Sequence, residues 1–280
     1  MYDALVGLLW FVPSIAILIA IGIIVFDEDK KFKNVDWSEG FNRVKKYRHY
    51  ILLLIIIVIG VKIENIIQDV LPIFPNFTYL FYNIEGNGII LFLQQYLKNH
   101  FLINMLSVFY LVSFSYIVVF TPFLFILRDD EETLKSITYA MVINYMILIP
   151  FYIFFNVSVT SHYPPDTLVK PLLYSNHQYR ELILLMDRLT DNFPSGHISI
   201  PFSLFLSTYL LTKLKRYKIF LGLVVAFIAF SIVYLGIHWI LDIIGGLLLG
   251  AFSYWAANNK KIRSFFDRFI CFLKNHSNYK

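Results

Sequence analysis

The sequence predicts an all-α fold: a polytopic bundle of about seven transmembrane helices forming one integral membrane domain over residues 1–280. Three observations predict it. Only 15% of residues are charged while 58% are hydrophobic, and mean hydropathy is +0.64; a soluble domain carries about 25% charged residues, the polar surface that a core of this size needs. Apolar stretches near the length of about 20 residues that a bilayer requires recur along the chain. Lysine and arginine concentrate in every second connection between those stretches. The same composition excludes a disordered chain, and one cysteine, Cys271, excludes a disulfide framework and a multi-cysteine zinc site.

The spans follow in order. Residues 5–26 hold no charge at all, and they lack a basic leading region and a small-residue cleavage site, so a retained first span fits better than a signal peptide. Residues 50–67 form the second, with Lys62 and Glu64 near its far end. Residues 101–127 form the third, with Pro122 near its end, and 136–155 the fourth. The fifth, 199–214, is short, and Pro201 near its start suits a first helical turn, where a missing N–H costs nothing. Residues 219–236 and 238–257 complete the set. Between them lie two long outer segments, 68–100 and 156–198; the first is expected to hold an interfacial helix after Asn83–Gly88.

Orientation follows from the basic residues. Nineteen of the 24 lysines and arginines fall on one side of this arrangement and five on the other (Lys62, Lys98, Lys170, Arg180 and Arg188). The basic side is expected in the cytoplasm and the N-terminus outside. The net charge of +5 is thereby explained as topology, and no nucleic-acid partner is expected.

The polar residues that serve no spanning role gather on the outer side. His197 closes Pro194-Ser195-Gly196-His197 directly before the fifth span, and His238 and Asp242 open the seventh. A spacing of four places His238 and Asp242 on one helix face, where the carboxylate orients the imidazole and stabilises its charged form. Taken singly, the first motif is also what a tight turn before a helix looks like, and the second what an interhelical polar pair looks like. Together, at adjacent outer helix ends, they suit phosphate chemistry. Ser195 offers a hydroxyl, Gly196 lets backbone amides approach an anion at a helix N-terminus, and two histidines supply a nucleophile and a general acid.

Pro194-Ser195-Gly196-His197 followed by His238-x-x-x-Asp242 resembles the second and third signature motifs of the type 2 phosphatidic acid phosphatase (PAP2) superfamily, over roughly residues 164–257. The resemblance implies a six-helix core, an externally facing site, no metal and no other cofactor. It implies that His238 attacks phosphorus to form a phosphohistidine, that Asp242 supports it, that His197 protonates the leaving oxygen, and that Ser195 and Gly196 bind phosphate oxygens. Two features depart from the family. Ile232 stands where the third motif has arginine, and the Lys-x6-Arg-Pro first motif is absent; in its region is Tyr163-Pro164-Pro165 through Lys170-Pro171. The Pro-Pro segment and the missing arginine are similar to the inositol phosphorylceramide synthase-like branch. Lys170 and Arg180 are the expected phosphate partners, with Arg188 as a substitute and Glu85, Asn87 and His162 as further outer polar groups.

The expected activity is that of a membrane lipid phosphatase or phosphotransferase. It cleaves a lipid phosphate or diphosphate bond, or acts on a lipid-linked phosphodiester and passes the phospho-group to a small alcohol such as inositol or glycerol. The expected site is the non-cytoplasmic face of the plasma membrane. Two other classes are weighed against it. A metal-dependent hydrolase would use His162, His197, His238 and Asp242 as ligands, but no His-x-x-x-His pair supports it. A proton-coupled transporter would use the same groups as a relay, but internal repeats and charges within most spans are lacking.

Overall fold

A computed structural model describes residues 2–29, 36–70, 75–175, 177–186 and 188–277, and among these the regular structure is helical. The helices are α1 (Tyr2–Val25), α2 (Trp37–Lys46), α3 (Arg48–Val70), α4 (Thr78–Glu85), α5 (Gly88–Tyr96), α6 (His100–Leu127), α7 (Glu131–Phe154), α8 (His177–Met186), α9 (Gly196–Leu211), α10 (Lys215–Tyr234), α11 (Ile240–Asn258) and α12 (Lys260–Ser277). Six of them, α1, α3, α6, α7, α10 and α11, are long and apolar enough to cross a membrane, and α9 is a shorter apolar helix. The chain is an all-α polytopic bundle.

Local chemistry sets the helix starts. Asn99 and Asp130 accept the amides of Phe101 and Thr133 at the heads of α6 and α7, and Glu131 and Glu132 follow in α7 where the helix dipole favours negative charge. Packing then sorts the faces. Ile117, Phe120, Leu124, Leu134, Ile137 and Leu204 are fully buried between helices, whereas Ile24, Ile59, Phe101, Met146, Ile219 and Leu248 point outward. An outward apolar shell of this kind is unfavourable in water and suited to lipid.

Two sequence expectations about the site helices are corrected. α9 begins at Gly196, three residues before the expected start, because the Ser195 carbonyl already accepts from Ile198 and Ser199; His197 therefore lies in the first turn, and Pro201 lies inside the helix. α11 begins at Ile240, so His238 precedes the helix instead of opening it.

At the basic end, Lys46 and the Tyr47 hydroxyl both reach Asp129 at 2.7 Å, Arg128 forks onto Asp29 at 2.8 and 2.6 Å, and the Tyr139 hydroxyl donates to Asp267 at 2.8 Å. At the opposite end, α4, α5, α8 and the outer loops cover the bundle. The helix expected after Asn83–Gly88 is α5. Its Gln94 takes the Lys170 amide and donates to the Lys170 and Tyr234 carbonyls, pinning the outer loop to the end of α10.

Candidate active site

Glycines bring the two motif-bearing helices together. On α11, a side chain at Gly246 would meet the Ser195 carbonyl at 2.8 Å, and one at Gly250 would meet the Ser199 carbonyl at 2.6 Å. The backbones of α9 and α11 thus touch where any larger residue would separate them. The Ser195 amide donates to the Asp242 carbonyl at 3.1 Å, which ties the two motifs directly.

His238 sits in the connection between α10 and α11. Its amide and that of Ile237 both donate to the Ile232 carbonyl. The preceding Gly236 has φ +75°, and a side chain there would meet the Lys170 carbonyl at 2.7 Å, so both conformation and space require glycine. The outer loop clasps this connection from the other side. Thr160 and Ser161 donate their amides to Ile237 and Gly236, and the Asn192 side chain donates to the Ile237 carbonyl at 3.0 Å. The Trp239 indole donates to Ser158.

Within this frame the imidazole of His238 is almost wholly enclosed, at 1% exposure. Its Nδ1 lies 3.1 Å from Asp242 Oδ2, and the same oxygen accepts the Trp239 amide at 2.9 Å. The pairing is thus a helix-start geometry, with Asp242 reaching back over the first turn of α11, not a pairing along one helix face. With Asp242 as a carboxylate, which accepts only, Nδ1 would carry the proton and Nε2 would present its lone pair. Ser195 Oγ stands 3.4 Å from Nε2; this side chain does not cap α9. The His197 ring lies 6.1 Å from that of His238, with Tyr110 Oη 3.1 Å from its Nε2. Five expected site residues, Ser195, Gly196, His197, His238 and Asp242, are therefore brought together.

Gly196 already has a partner for its amide: it donates to the Tyr152 hydroxyl at 3.1 Å, and that hydroxyl donates to the Pro194 carbonyl at 3.2 Å. Gly196 and His197 line a cavity of about 140 Å³ that runs between α3, α6, α7 and α9 past Glu64, Tyr110, Tyr145 and Tyr152. No lysine or arginine stands among the described residues lining it.

Lys170 and Arg180 are not brought to the histidines. Lys170 contributes its backbone to the Gly236 contact, while its exposed side chain lines a separate cavity with Lys98 and His100. Arg180 is exposed on α8; burial, and then this nearby guanidinium, hold the His162 imidazole below its ordinary range. Arg188 pairs with Asp69 at 2.7 Å near Asp191, a loop carboxyl that burial pushes up to about 6 against the hydrogen bond from Gln68 and the charge of Arg188. Ile232, in the family's arginine position, is fully buried in the apolar core. Glu85 serves the site from below: its carboxylate accepts the Ile240 and Leu241 amides at 2.8 and 2.9 Å, capping the helix that carries Asp242. Desolvation raises this carboxyl and the two amides counter it. Asn87 donates to Tyr163 and Thr167 within the loop. Tyr110, Tyr152 and Asn192 carry no motif and could be found only through these contacts.

The PAP2 superfamily model matches residues 169–263, which include both motifs. The chain is 30% identical over 214 residues to an undecaprenyl-diphosphatase of Sulfolobus acidocaldarius, covering 74% of this chain and 88% of that protein. The crystal structure of Aquifex aeolicus LpxE aligns at a TM-score of 0.49 and 19% identity, over 61% of this chain and 92% of that one. The motifs, their meeting at the joined ends of α9 and α11, and a relative matched along most of its length give one conclusion: the chain belongs to the PAP2 superfamily.

Proposed function

We propose that this protein is a membrane lipid phosphatase that hydrolyses a lipid phosphate or diphosphate through a phosphohistidine on His238. The observation that carries the reading is the His238 Nδ1 contact with Asp242 at 3.1 Å, which leaves Nε2 as the nucleophilic atom with the His197 ring 6.1 Å away. The relative named as an undecaprenyl-diphosphatase supports a long-chain prenyl diphosphate as the substrate class.

In the first step Nε2 attacks phosphorus as the phosphorus–oxygen bond to the lipid breaks, and His197 gives its proton to the departing oxygen. In the second, water attacks the phosphohistidine, His197 takes the water's proton, and the phosphorus–nitrogen bond breaks to release phosphate. Asp242 accepts from Nδ1–H throughout and stabilises the positive charge that the ring gains. Positioning and charge stabilisation are most of what phosphoryl transfer asks of a protein. Ser195 Oγ, 3.4 Å from Nε2, is placed to donate to a phosphate oxygen there. Lys170, in the outer loop, and Arg180, on α8, remain proposed outer partners of the phosphate, which requires both segments to approach bound substrate. With 19 basic residues on the far side, the site faces away from the cytoplasm at the plasma membrane.

The test is phosphate release by purified protein from a panel of prenyl and glycerolipid phosphates labelled with ³²P, with and without inositol or glycerol. Inorganic phosphate is expected under every condition, with none from His238→Ala. A labelled phosphodiester that appears only with the alcohol present would replace hydrolysis by transfer. Normal turnover in His238→Ala would remove the mechanism.

A further inference from the structure

Five of the 24 lysines and arginines fall on the outer side, and two of those five, Lys98 and Lys170, face one cavity of about 540 Å³. They reach it from different elements. Lys98 lies between α5 and α6, and Lys170 lies in the loop that Gln94 pins to the end of α10. His100 and Gln95 line the cavity beside them and add N–H donors. No carboxylate lines it among the described residues. The basic end of the bundle differs in this respect: Lys46, Arg128 and Lys135 each have an acidic partner there. Two like charges turned to one cavity, with no carboxylate between them, concentrate anions.

The walls decide what kind of anion. Leu91, Ile103, Leu168 and Leu172 line the same cavity, and Tyr234 joins them with its hydroxyl donated to the Leu97 carbonyl at 2.7 Å. A phosphate dissolved in water gains nothing from such walls, and the volume is that of a site for a larger molecule. On the adjoining α5, Phe92 and Tyr96 are 58% and 70% exposed with their rings 4.6 Å apart. Exposed aromatics of this kind favour the boundary between lipid and water. Ammonium groups above apolar walls at that boundary match a lipid whose phosphate is negative and whose chains are not.

We propose that this cavity binds one anionic phospholipid, with its phosphate between Lys98 and Lys170 and its first chain carbons against Leu91, Ile103 and Leu172. The site is separate from the histidines and does not rest on the phosphatase reading. Its frame is independent of the lysine side chains, because Gln94 holds the Lys170 backbone by both amide and carbonyl. Charge can therefore be altered while the cavity stands.

The test is native mass spectrometry of the full-length protein in a neutral detergent, titrated with phosphatidylglycerol or with phosphatidylcholine of the same chains. The wild type should retain one phosphatidylglycerol roughly tenfold more tightly than phosphatidylcholine, as two lysines facing one net negative charge require. Lys98→Gln should weaken phosphatidylglycerol roughly fivefold and Lys98→Glu further, whereas Lys98→Arg should keep it. Phosphatidylcholine should be unaffected, and melting temperatures should match the wild type because Lys98 is exposed. A diazirine-bearing phosphatidylglycerol should crosslink within residues 88–103 or 168–172 of the wild type and lose those crosslinks in Lys98→Glu. Equal retention of the two lipids, unchanged retention in Lys98→Gln, or crosslinks confined to other segments would overturn the proposal. Inorganic phosphate and diphosphate, added as competitors, separate the two sources of the anion. Neither should displace the lipid; displacement by either at equal concentration would make this a site for a free anion and overturn the lipid assignment.

Discussion

At His238 the two ring nitrogens have opposite tasks in the proposed reaction, and one carboxylate oxygen separates them. Asp242→Asn keeps the size of the side chain but lets the amide donate to Nδ1, which favours the tautomer with its proton on Nε2 and removes the nucleophilic lone pair. Turnover should fall roughly 10²- to 10⁴-fold with little change in substrate affinity; steady-state kinetics on the purified variant measures it, and a fall in affinity alone would contradict the assignment. Both partners were legible in the sequence from His-x-x-x-Asp, but their geometry was not. His238 precedes α11, and Asp242 reaches back to it while accepting the Trp239 amide. Lys170 shows the limit at this scale: a charge in a loop is visible in the sequence, whereas the direction of its side chain depends on what the loop packs against, here Gly236 and Gln94.

At the scale of elements, the site depends on how closely α9 and α11 approach. Gly246→Ala would drive a methyl group to 2.8 Å from the Ser195 carbonyl and 2.9 Å from Ile198 Cβ, both parts of a packed helix start. Overpacking of this kind costs about 1–3 kcal/mol, and the separation would shift Ser195 relative to His238. The melting temperature of the purified variant should drop and turnover should fall with it. Gly88→Ala, at a helix start with nothing within 4 Å of the added carbon, is the matched control and should do neither. The sequence located both helices to within a few residues. It missed their starts, because the Ser195 carbonyl and the Glu85 carboxylate, not the onset of hydrophobicity, decide where α9 and α11 begin. It also missed α8 and α12, whose hydropathy is not that of a span.

For the whole molecule, the basic asymmetry leads to a topology prediction that the native chain can report. Cys271, exposed on α12, belongs to the basic end, and Asp166, exposed in an outer loop, belongs to the end that holds the histidines. In intact cells a membrane-impermeant maleimide should leave Cys271 unlabelled and should label a cysteine placed at Asp166; permeabilised cells should label both. Labelling of Cys271 alone in intact cells would invert the orientation and with it the proposed face of the site.

The sequence by itself determined the class of solvent, the approximate spans, the expected orientation and the two motifs, because each rests on local composition or on spacing within a few residues. Tertiary structure alone decided what surrounds the motifs. Tyr110 on α6, Tyr152 on α7, Glu85 on α4 and Asn192 in the outer loop reach the site from positions between 44 and 155 residues away in the contacts they make. One of 19 tyrosines cannot be told from another by its neighbours in sequence. The bundle must first bring α6 and α7 against α9, through contacts that carry no sequence period, before a buried hydroxyl acquires a particular ring or amide as its partner.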